Sequence, residues 1–187
     1  MISGYLYYIS NVFSIFSTKK FQGWGRKKTG QFALWCHKKF GGKLTLFEDG
    51  FIRSIGLGVN RSPSFSRIVD DIGIYYDATT PSKLENILKT YDFSTDKKLI
   101  RSAKKAIELI IEHHISKYNK APDVNDDFFK DDLKSKVLIV AQTAGDASLE
   151  YGRCNEFSTR QMINDALQDN PDSSVYLKIN PDVLIGK

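Results

Sequence analysis

The sequence has few of the residues that build metal centres and disulfide frameworks. Of its 187 residues, only two are cysteine and three are histidine. The two cysteines, Cys36 and Cys154, are far apart and form no CxxC motif, and the histidines do not recur at the spacing of metal ligands. We therefore expect a reducing compartment and no structural metal.

Acidic residues are scarce near the N-terminus. Residues 1–67 contain eleven Lys and Arg but two acids, whereas the remaining residues carry a net negative charge and the whole chain is +5. Such a basic face attracts nucleic acid, anionic lipid headgroups, or anionic sugars and nucleotides. No recognised nucleic-acid module accompanies the charge, so an RNA-binding module is the least supported class and we expect no nucleic-acid partner.

The N-terminal segment 1–17 lacks a basic start and a small-residue cleavage site, and it is too short to span a bilayer. We therefore expect no signal peptide. Its apolar residues follow helical spacing, and Lys19 and Lys20 come next. A helix of this kind either lies on an anionic membrane surface or packs on the protein's own core, and we favour the core. The apolar positions are Ile2, Leu6, Ile9, Val12, Phe13 and Phe16.

Hydrophobic periodicity predicts an α/β chain in two parts. In the first part we expect a helix over 31–39, a second that starts with Pro81, Ser82 and the periodic Leu84, Ile87 and Leu88 and is capped by Thr80 or Ser82, and a third over 96–118. We expect strands over 44–47, 68–69 and 74–76. In the second part we expect a strand over 137–141, a helix over 157–168 and a strand over 175–179, which form a right-handed parallel unit.

The polar, charged stretch 119–136 has the composition of a linker. We therefore expect one domain at 1–135 and a second at 136–187. Two strands and one helix cannot form a stable doubly wound sheet, so the second domain is expected to be incomplete.

The most informative stretch is LFEDGFIRSIGLG, residues 46–58. Its carboxylate pair, Glu48 and Asp49, ends an apolar run, and loops at strand ends are where α/β proteins carry their chemistry. An isolated EDG is more often an ordinary turn. From charge and position we infer that Arg53 and Ser54 bind a substrate carboxylate, because the planar fork of Arg suits that group.

Two further strand ends carry polar residues. Asp146 and Ser148 follow the strand over 137–141, and Lys178 and Asn180 end the last predicted strand. A carboxylate pair such as Glu48 and Asp146 suits glycosyl chemistry, with one nucleophile and one group that manages the proton. A cation and an amide suit a phosphate, although a Lys beside a turn-forming Asn-Pro explains that strand end equally well.

Five motifs in this order resemble the bacterial capsule polysaccharide Kdo transferases of the KpsC (LipA) type. The resemblance extends from Gly23 to the last residue, and it implies a GT-B-like fold of two Rossmann-like domains. The first domain would then be the acceptor side and the second the start of the nucleotide-sugar domain. The motifs are LFEDGFIRSIGLG, DDIGIYYDATTPSKLE, SKYNKA, QTAGDASLEYG and KINPDV.

The resemblance also implies an activity and a location. Enzymes of this type move Kdo from CMP-Kdo to a phosphatidylglycerol-type glycolipid with retention, which builds a β-Kdo linker for capsule export. The implied partners are CMP-Kdo, an anionic glycolipid acceptor and other capsule assembly and export proteins, with no cofactor. The implied location is cytoplasmic, peripheral on the inner face of the cytoplasmic membrane.

Roles for single residues follow from the same resemblance. Asp146 matches the nucleophile, and Gln142 and Ser148 beside it are assigned to substrate binding. Glu48 matches the acid/base, with Asp49 orienting it or capping the loop. The CMP side is assigned to Lys178, Asn180 and Pro181.

The sequence departs from the family pattern at two donor-side positions. The family usually has His where this chain has Asn180, and Asp where it has Ala141. An Asn donates only a neutral hydrogen bond, which is about half as strong as a charge-assisted one. The alternative interpretation is therefore a non-catalytic, truncated or degenerate fragment of such an enzyme.

Overall fold

A computed structural model describes residues 2–53, 64–116, 124–154 and 158–180. The chain divides into two units, residues 1–120 and 121–187. The first unit contains α1 (Ile2–Ile15), β1 (Lys20–Trp24), α2 (Lys28–Phe40), β2 (Lys43–Asp49), β3 (Arg67–Asp70), α3 (Lys83–Thr90) and α4 (Lys97–Glu112). The second contains a 3-10 turn (Asp126–Phe129), β4 (Lys136–Val140), α5 (Ala147–Tyr151), α6 (Thr159–Asp169) and β5 (Ser174–Lys178). The predicted α/β class is confirmed.

The first unit is built on a parallel β-α-β motif. β1 pairs in parallel with β2, which places Trp24 opposite Phe47, and β3 pairs antiparallel with the other side of β2. β1 is therefore an edge strand of the sheet. α2 packs on β1 and β2, and their apolar side chains form the core. The buried core residues are Phe21, Ala33, Cys36, Leu44, Leu46 and Ile74.

The two helices that follow β3 are confirmed. Ser82 caps α3 in a capping box, because its hydroxyl accepts the Glu85 backbone N–H and the Glu85 carboxylate accepts the Ser82 N–H. Asp96 caps α4 by accepting the Leu99 N–H at 2.8 Å. α4 ends at Glu112, with His113 as its C-cap, so the helix is shorter than the predicted 96–118. Residues 117 and 118 lie outside the described ranges.

The strand predicted over 74–76 is wrong, and buried Asp70 explains why. One oxygen of Asp70 accepts the backbone N–H groups of Ile72 and Gly73, each at 2.9 Å, and the other accepts the Lys83 N–H at 2.9 Å. These bonds bend the chain into a loop and connect it to the start of α3. Ile74 consequently enters the core from a loop.

α1 forms as predicted, but it packs on the sheet through its polar face. Asn11 is fully buried, and its side-chain amide donates to the Gln22 carbonyl and accepts the Gln22 N–H, both at 2.8 Å. This pair satisfies the outward-facing backbone groups of Gln22 on β1, an edge that no strand in the described part of the chain covers. The apolar face points outward, with Phe13 and Phe16 72% and 86% exposed. The favoured prediction, a helix packed on the protein's own core, is therefore confirmed for the docking of α1 on β1 and α2 but wrong for the face that docks.

In the second unit, the predicted parallel β-α-β order is confirmed. β4 pairs in parallel with β5, which places Val140 opposite Lys178, and α6 packs on both strands. The described part of the stretch predicted as a linker, 124–135, lies in this unit and packs on β5. The rings of Phe128 and Phe129 contact Tyr176, and Asp132 accepts hydrogen bonds from Ser174 and Tyr176. In the described ranges, no helix is long and apolar enough to cross a membrane.

We expect Asp70→Asn to lower the free energy of unfolding of the first unit by about 2 to 3 kcal/mol. An amide at this position turns an NH2 group toward a backbone N–H, so one buried donor loses its acceptor. The measurement is urea unfolding followed by tryptophan fluorescence, which reports on this unit because Trp24 and Trp35 are the two tryptophans. The control is Asp71→Asn, an exposed neighbour whose carboxylate forms an ion pair with the Lys83 side chain. Equal stability of the two variants would contradict the role of Asp70.

Candidate functional site

Glu48 is the second-to-last residue of β2, and two hydrogen-bond donors bind one oxygen of its carboxylate. The indole N–H of Trp24 donates to Oε1 of Glu48 at 3.0 Å, and the Asp49 backbone N–H donates to the same oxygen at 3.0 Å. Trp24 is the last residue of β1, so the parallel pairing of β1 and β2 places the indole beside the carboxylate. Glu48 is half-buried and therefore remains open to a reactant.

Tyr76 approaches the same carboxylate from the loop between β3 and α3. Its hydroxyl hydrogen-bonds the Glu48 carboxylate and accepts the Arg26 backbone N–H at 2.9 Å. Burial raises the pKa of Tyr76 well above its ordinary value; the Arg26 N–H bond opposes this, and the negative charge of Glu48 adds to it. The phenol therefore stays protonated at physiological pH and donates a hydrogen bond to the Glu48 carboxylate.

A glycine makes this convergence possible. Gly25 follows Trp24 and has a φ of +39°, a backbone conformation that side chains rarely adopt. A Cβ atom at Gly25 would overlap the Tyr76 hydroxyl and the Oε2 atom of Glu48. The backbone at Gly25 thus lies against both groups, and any larger residue would push Tyr76 away from Glu48.

Beneath the site, Arg26 forms a buried ion pair with Asp77. The Arg26 side chain is 9% exposed and that of Asp77 is fully buried, and Arg26 also donates to the Thr80 hydroxyl at 2.9 Å. Burial alone would raise the pKa of Asp77, but hydrogen bonds from Thr79 and the charge of Arg26 outweigh it and hold the pKa below its usual value. Asp77 therefore stays ionised and holds the loop carrying Tyr76 against the end of β1.

Asp49 binds a different group from those that bind Glu48. Successive side chains of a strand point to opposite faces of the sheet, so the two carboxylates diverge. Asp49 accepts a hydrogen bond from Nε of Arg53 at 2.6 Å, in an ion pair whose side chains are largely buried. The structure thus brings Arg53 to Asp49, while Ser54 lies outside the described residues.

In the second unit, Asp146 is exposed and forms the N-cap of α5. Its Oδ1 atom accepts both the backbone N–H of Ser148 at 2.8 Å and the Ser148 hydroxyl at 2.7 Å. Asp146 and Ser148 are thus brought together as predicted, although a local cap alone explains their contact. Gln142 is exposed in the loop that precedes them.

The other strand end of this unit carries Lys178. Lys178 is exposed as the last residue of β5, and its carbonyl accepts the backbone N–H of Ala141 at 2.9 Å. This bond places the loop after β4 beside the loop after β5, because the two strands are parallel. Asn180 follows and is half-buried, whereas Pro181 lies outside the described residues.

The arrangement suits acid-base and nucleophilic chemistry. Glu48 is a carboxylate with fixed orientation at a strand end, and Asp146 is an exposed carboxylate whose cap bonds use one oxygen. No group of three His, Cys, Asp or Glu that could hold a metal ion occurs in the ranges described above.

Sequence analysis missed the residues that hold Glu48. In the sequence, Trp24 belongs to a Gly-rich, basic stretch and Tyr76 to the motif DDIGIYYDATTPSKLE, and neither is assigned a role by sequence alone. The sequence feature that could have identified them is a Trp and a Tyr, each with a polar ring atom, close in sequence to charged residues, Arg26 and Asp77. That signal became interpretable only once the fold brought residues about fifty positions apart into contact.

Comparisons with known proteins give a consistent picture. Residues 23–187 match the family described as capsule polysaccharide biosynthesis protein. The capsule polysaccharide modification protein LipA of Neisseria meningitidis serogroup A is 41% identical over 167 residues, which are 88% of this chain and 24% of that protein. The lipopolysaccharide-processing protein LpsZ of Rhizobium meliloti is 33% identical over 139 residues, 74% of this chain and 32% of that protein.

Two solved structures also resemble the chain. The beta Kdo 2,4 transferase of Thermosulfurimonas dismutans KpsC superposes with a TM-score of 0.79 at 39% identity, covering 89% of this chain and 51% of that one. The beta Kdo 2,7 transferase of the same KpsC gives a TM-score of 0.64 at 27% identity, covering 94% and 51%. The chain thus spans about a quarter of the LipA protein and half of the solved chains.

We expect the first unit to lose stability as the pH rises above about 10, the ordinary pKa of an unfolded tyrosine. Above that pH the unfolded chain releases the Tyr76 proton and the folded chain keeps it, so stability falls by up to about 1.4 kcal/mol per pH unit. The Tyr76→Phe variant should lack this part of the decline, whereas the control Tyr75→Phe, altered at an exposed neighbour, should keep it. Urea unfolding followed by tryptophan fluorescence at several alkaline pH values measures the slopes. Identical slopes in both variants would remove Tyr76 as their source.

Proposed function

Because the chain belongs to the family of capsule polysaccharide biosynthesis proteins, as its resemblance to Kdo transferases of the KpsC (LipA) type predicted, we propose that it is a glycosyltransferase module of capsule assembly. The proposed reaction moves Kdo from CMP-Kdo to an anionic glycolipid of the phosphatidylglycerol type, with retention. The main support for this proposal is the carboxylate of Glu48, which hydrogen bonds hold in a fixed orientation in the EDG motif at a strand end. The proposed arrangement of domains is GT-B-like.

In the first proposed step, a carboxylate oxygen of Asp146 attacks the anomeric carbon of Kdo. The bond from that carbon to the phosphate oxygen breaks, and CMP leaves with the electron pair. The product is a covalent ester between Kdo and Asp146. Asp146 suits this role because it is exposed and its two cap bonds go to Oδ1, which fixes the side chain and leaves Oδ2 for the proposed attack.

In the second step, the acceptor hydroxyl attacks the same carbon and displaces Asp146. The proton of the acceptor hydroxyl passes to Glu48. Because two displacements occur at the same carbon, the configuration is retained overall. The bonds from Trp24 and Asp49 orient the Glu48 carboxylate, and Tyr76 supports it without competing for the proton, because its raised pKa keeps the phenol neutral. Trp24 and Tyr76 act here as positioning residues.

The remaining assignments concern binding. Asp49 holds Arg53 through the 2.6 Å ion pair, so that Arg53 can present its guanidinium to the Kdo carboxylate together with Ser54. Gln142 and Ser148 would contact the sugar near Asp146. Lys178, Asn180 and Pro181 would meet the phosphate of CMP, with Lys178 as the one cation among them.

The proposed location is the inner face of the cytoplasmic membrane, where the lipid acceptor is available. The basic N-terminal third favours an anionic surface over a neutral one. Other capsule assembly and export proteins are proposed as further partners, since a glycolipid product must be passed on for export.

The second candidate function is a non-catalytic fragment that retains the fold. Asn180 and Ala141 favour it, because these positions remove two donor-side charges usual in the family. The intact EDG and GDAS motifs favour the enzyme. The two candidates differ in whether the chain binds CMP and transfers Kdo.

We expect Glu48→Gln and Asp146→Asn each to reduce Kdo transfer by a factor of about 100 or more. Asn remains a good N-cap, so Asp146→Asn removes the nucleophile and keeps α5 intact. The assay detects the Kdo-lipid product by mass after incubation with CMP-Kdo and a phosphatidylglycerol-type acceptor. The matched controls are Glu108→Gln in the first unit and Asp172→Asn in the second, both exposed and remote in sequence from the motifs.

Undiminished transfer by Asp146→Asn would exclude a covalent intermediate on Asp146. Undiminished transfer by Glu48→Gln would exclude Glu48 as the base. A wild-type chain without transfer activity would favour the non-catalytic fragment.

A CMP titration by calorimetry separates the two candidates independently of the acceptor. For the enzyme we expect a dissociation constant in the micromolar range and about tenfold weaker binding by Lys178→Met, because one charge-assisted bond to phosphate is lost. Lys97→Met, at an exposed lysine of the first unit, is the control and should bind as the wild type does. Absence of CMP binding by the wild-type chain would support the fragment.

A further inference from the structure

The outer face of α1 is a continuous apolar surface. Its large side chains are between 45% and 86% exposed, although a helix of this composition usually buries them. α1 itself contains no charged residue. The exposed side chains are Tyr5, Leu6, Ile9, Val12, Phe13 and Phe16.

The orientation of α1 is fixed by its contacts with the sheet. The paired hydrogen bonds between Asn11 and the Gln22 backbone determine which face lies inward, and buried Ser14 lies on the same face. Tyr8 packs on Phe32 of α2 with ring centroids 5.2 Å apart. Turning the apolar face inward would break both of these hydrogen bonds, so the face remains directed outward.

The surface around this face is positively charged. Residues 1–47 contain no Asp or Glu, and all seven of their lysines are exposed. Five of these lysines lie where α1 and α2 end and where β1 and β2 begin, which is one edge of the unit. They are Lys19, Lys20, Lys38, Lys39 and Lys43. Phe13 and Phe16 lie at the same end, in the last part of α1 and just after it.

An amphipathic aromatic residue extends the same surface onto α2. Trp35 is 49% exposed, and the ammonium group of Lys39 lies 5.3 Å from its ring centroid. Trp35 also stacks on Phe32, whose ring contacts Tyr8 of α1. Tryptophan beside lysine is typical of residues at a bilayer interface, where the ring enters the headgroup region and the cation meets phosphate.

We propose that α1 binds flat on an anionic bilayer, with Phe13 and Phe16 inserted among the acyl chains and the five lysines against the headgroups. A helix of 14 residues is about 21 Å long, so it suits the plane of the interface. The inference rests on the membrane location in the proposed function, and it assigns that location to a helix that precedes the family-matched residues 23–187. Charge complementarity selects an anionic lipid surface over a neutral one or a second, equally basic copy.

The test is co-flotation of the 187-residue chain with vesicles of phosphatidylcholine containing about one-third phosphatidylglycerol. We expect Phe13→Ser/Phe16→Ser to weaken binding about tenfold or more, because two apolar anchors are removed. The matched control is Phe51→Ser/Phe65→Ser, the same change at side chains 85% and 70% exposed in the same unit. Unchanged tryptophan fluorescence and unfolding midpoints verify that the variants fold.

A second comparison isolates the charges. In Lys19→Gln/Lys20→Gln/Lys43→Gln, the affinity for the anionic vesicles should fall about fivefold for each lysine removed. The variant should then bind these vesicles no better than the wild type binds pure phosphatidylcholine. The control Lys97→Gln/Lys98→Gln/Lys104→Gln removes the same charge from α4 and should bind nearly as wild type. Raising the salt concentration should weaken wild-type binding.

Three results would overturn the inference: no wild-type flotation with phosphatidylglycerol, equal losses in both phenylalanine pairs, or equal binding to neutral vesicles. A concentration-dependent dimer that Phe13→Ser/Phe16→Ser abolishes, without vesicle binding, would instead make α1 an interface between copies. Kdo transfer to acceptor in detergent micelles should persist in Phe13→Ser/Phe16→Ser. Transfer without flotation contradicts this inference alone, and flotation without transfer contradicts the proposed function alone.

Discussion

The buried ion pair between Arg26 and Asp77 holds the first unit together around its candidate site. It joins the loop after β1 to the loop before α3, two segments about fifty residues apart in the chain. Removing one partner of such a pair leaves an uncompensated charge and costs about 3 to 5 kcal/mol. Residues next to both partners position Glu48: Tyr76 precedes Asp77 and accepts the Arg26 N–H, and Trp24 lies two residues before Arg26. The position of Glu48 therefore depends on a structural ion pair that is itself inaccessible to a substrate.

Local features of the fold could be predicted, because they depend on neighbouring residues. The Ser82 cap and the strands that contain Leu44 and Val137 follow from sequence patterns a few residues long. The supposed strand over 74–76 failed for a non-local reason: buried Asp70 binds the Lys83 N–H across thirteen positions and bends the chain between. The same distinction applies to the site. Glu48 stands out in its motif, whereas the partners that orient it arrive from β1 and from the loop after β3.

α1 shows what hydrophobic periodicity can and cannot determine. The pattern defines two faces, and the usual expectation is that the apolar one is buried. Here the edge strand β1 leaves the Gln22 N–H and carbonyl without a strand partner, and the Asn11 amide matches both groups. One buried side chain thus pairs both backbone groups at once, which fixes the orientation of the helix on the sheet. The need to complete a sheet edge thus determines which face of the helix meets solvent or lipid.

The two candidate carboxylates are positioned by different means, and this affects how each tolerates change. Asp146 is held by Ser148, two residues away, so its geometry depends on a single short helix and on little else in the described part of its unit. Glu48 is held by Trp24, by its own chain at Asp49 and by Tyr76, and these groups depend on the sheet, on Gly25 and on the Arg26–Asp77 pair. A nucleophile needs mainly an exposed oxygen with a fixed direction, which a helix cap provides. A base that must accept a proton at a defined point needs a rigid surrounding network, and the first unit provides one.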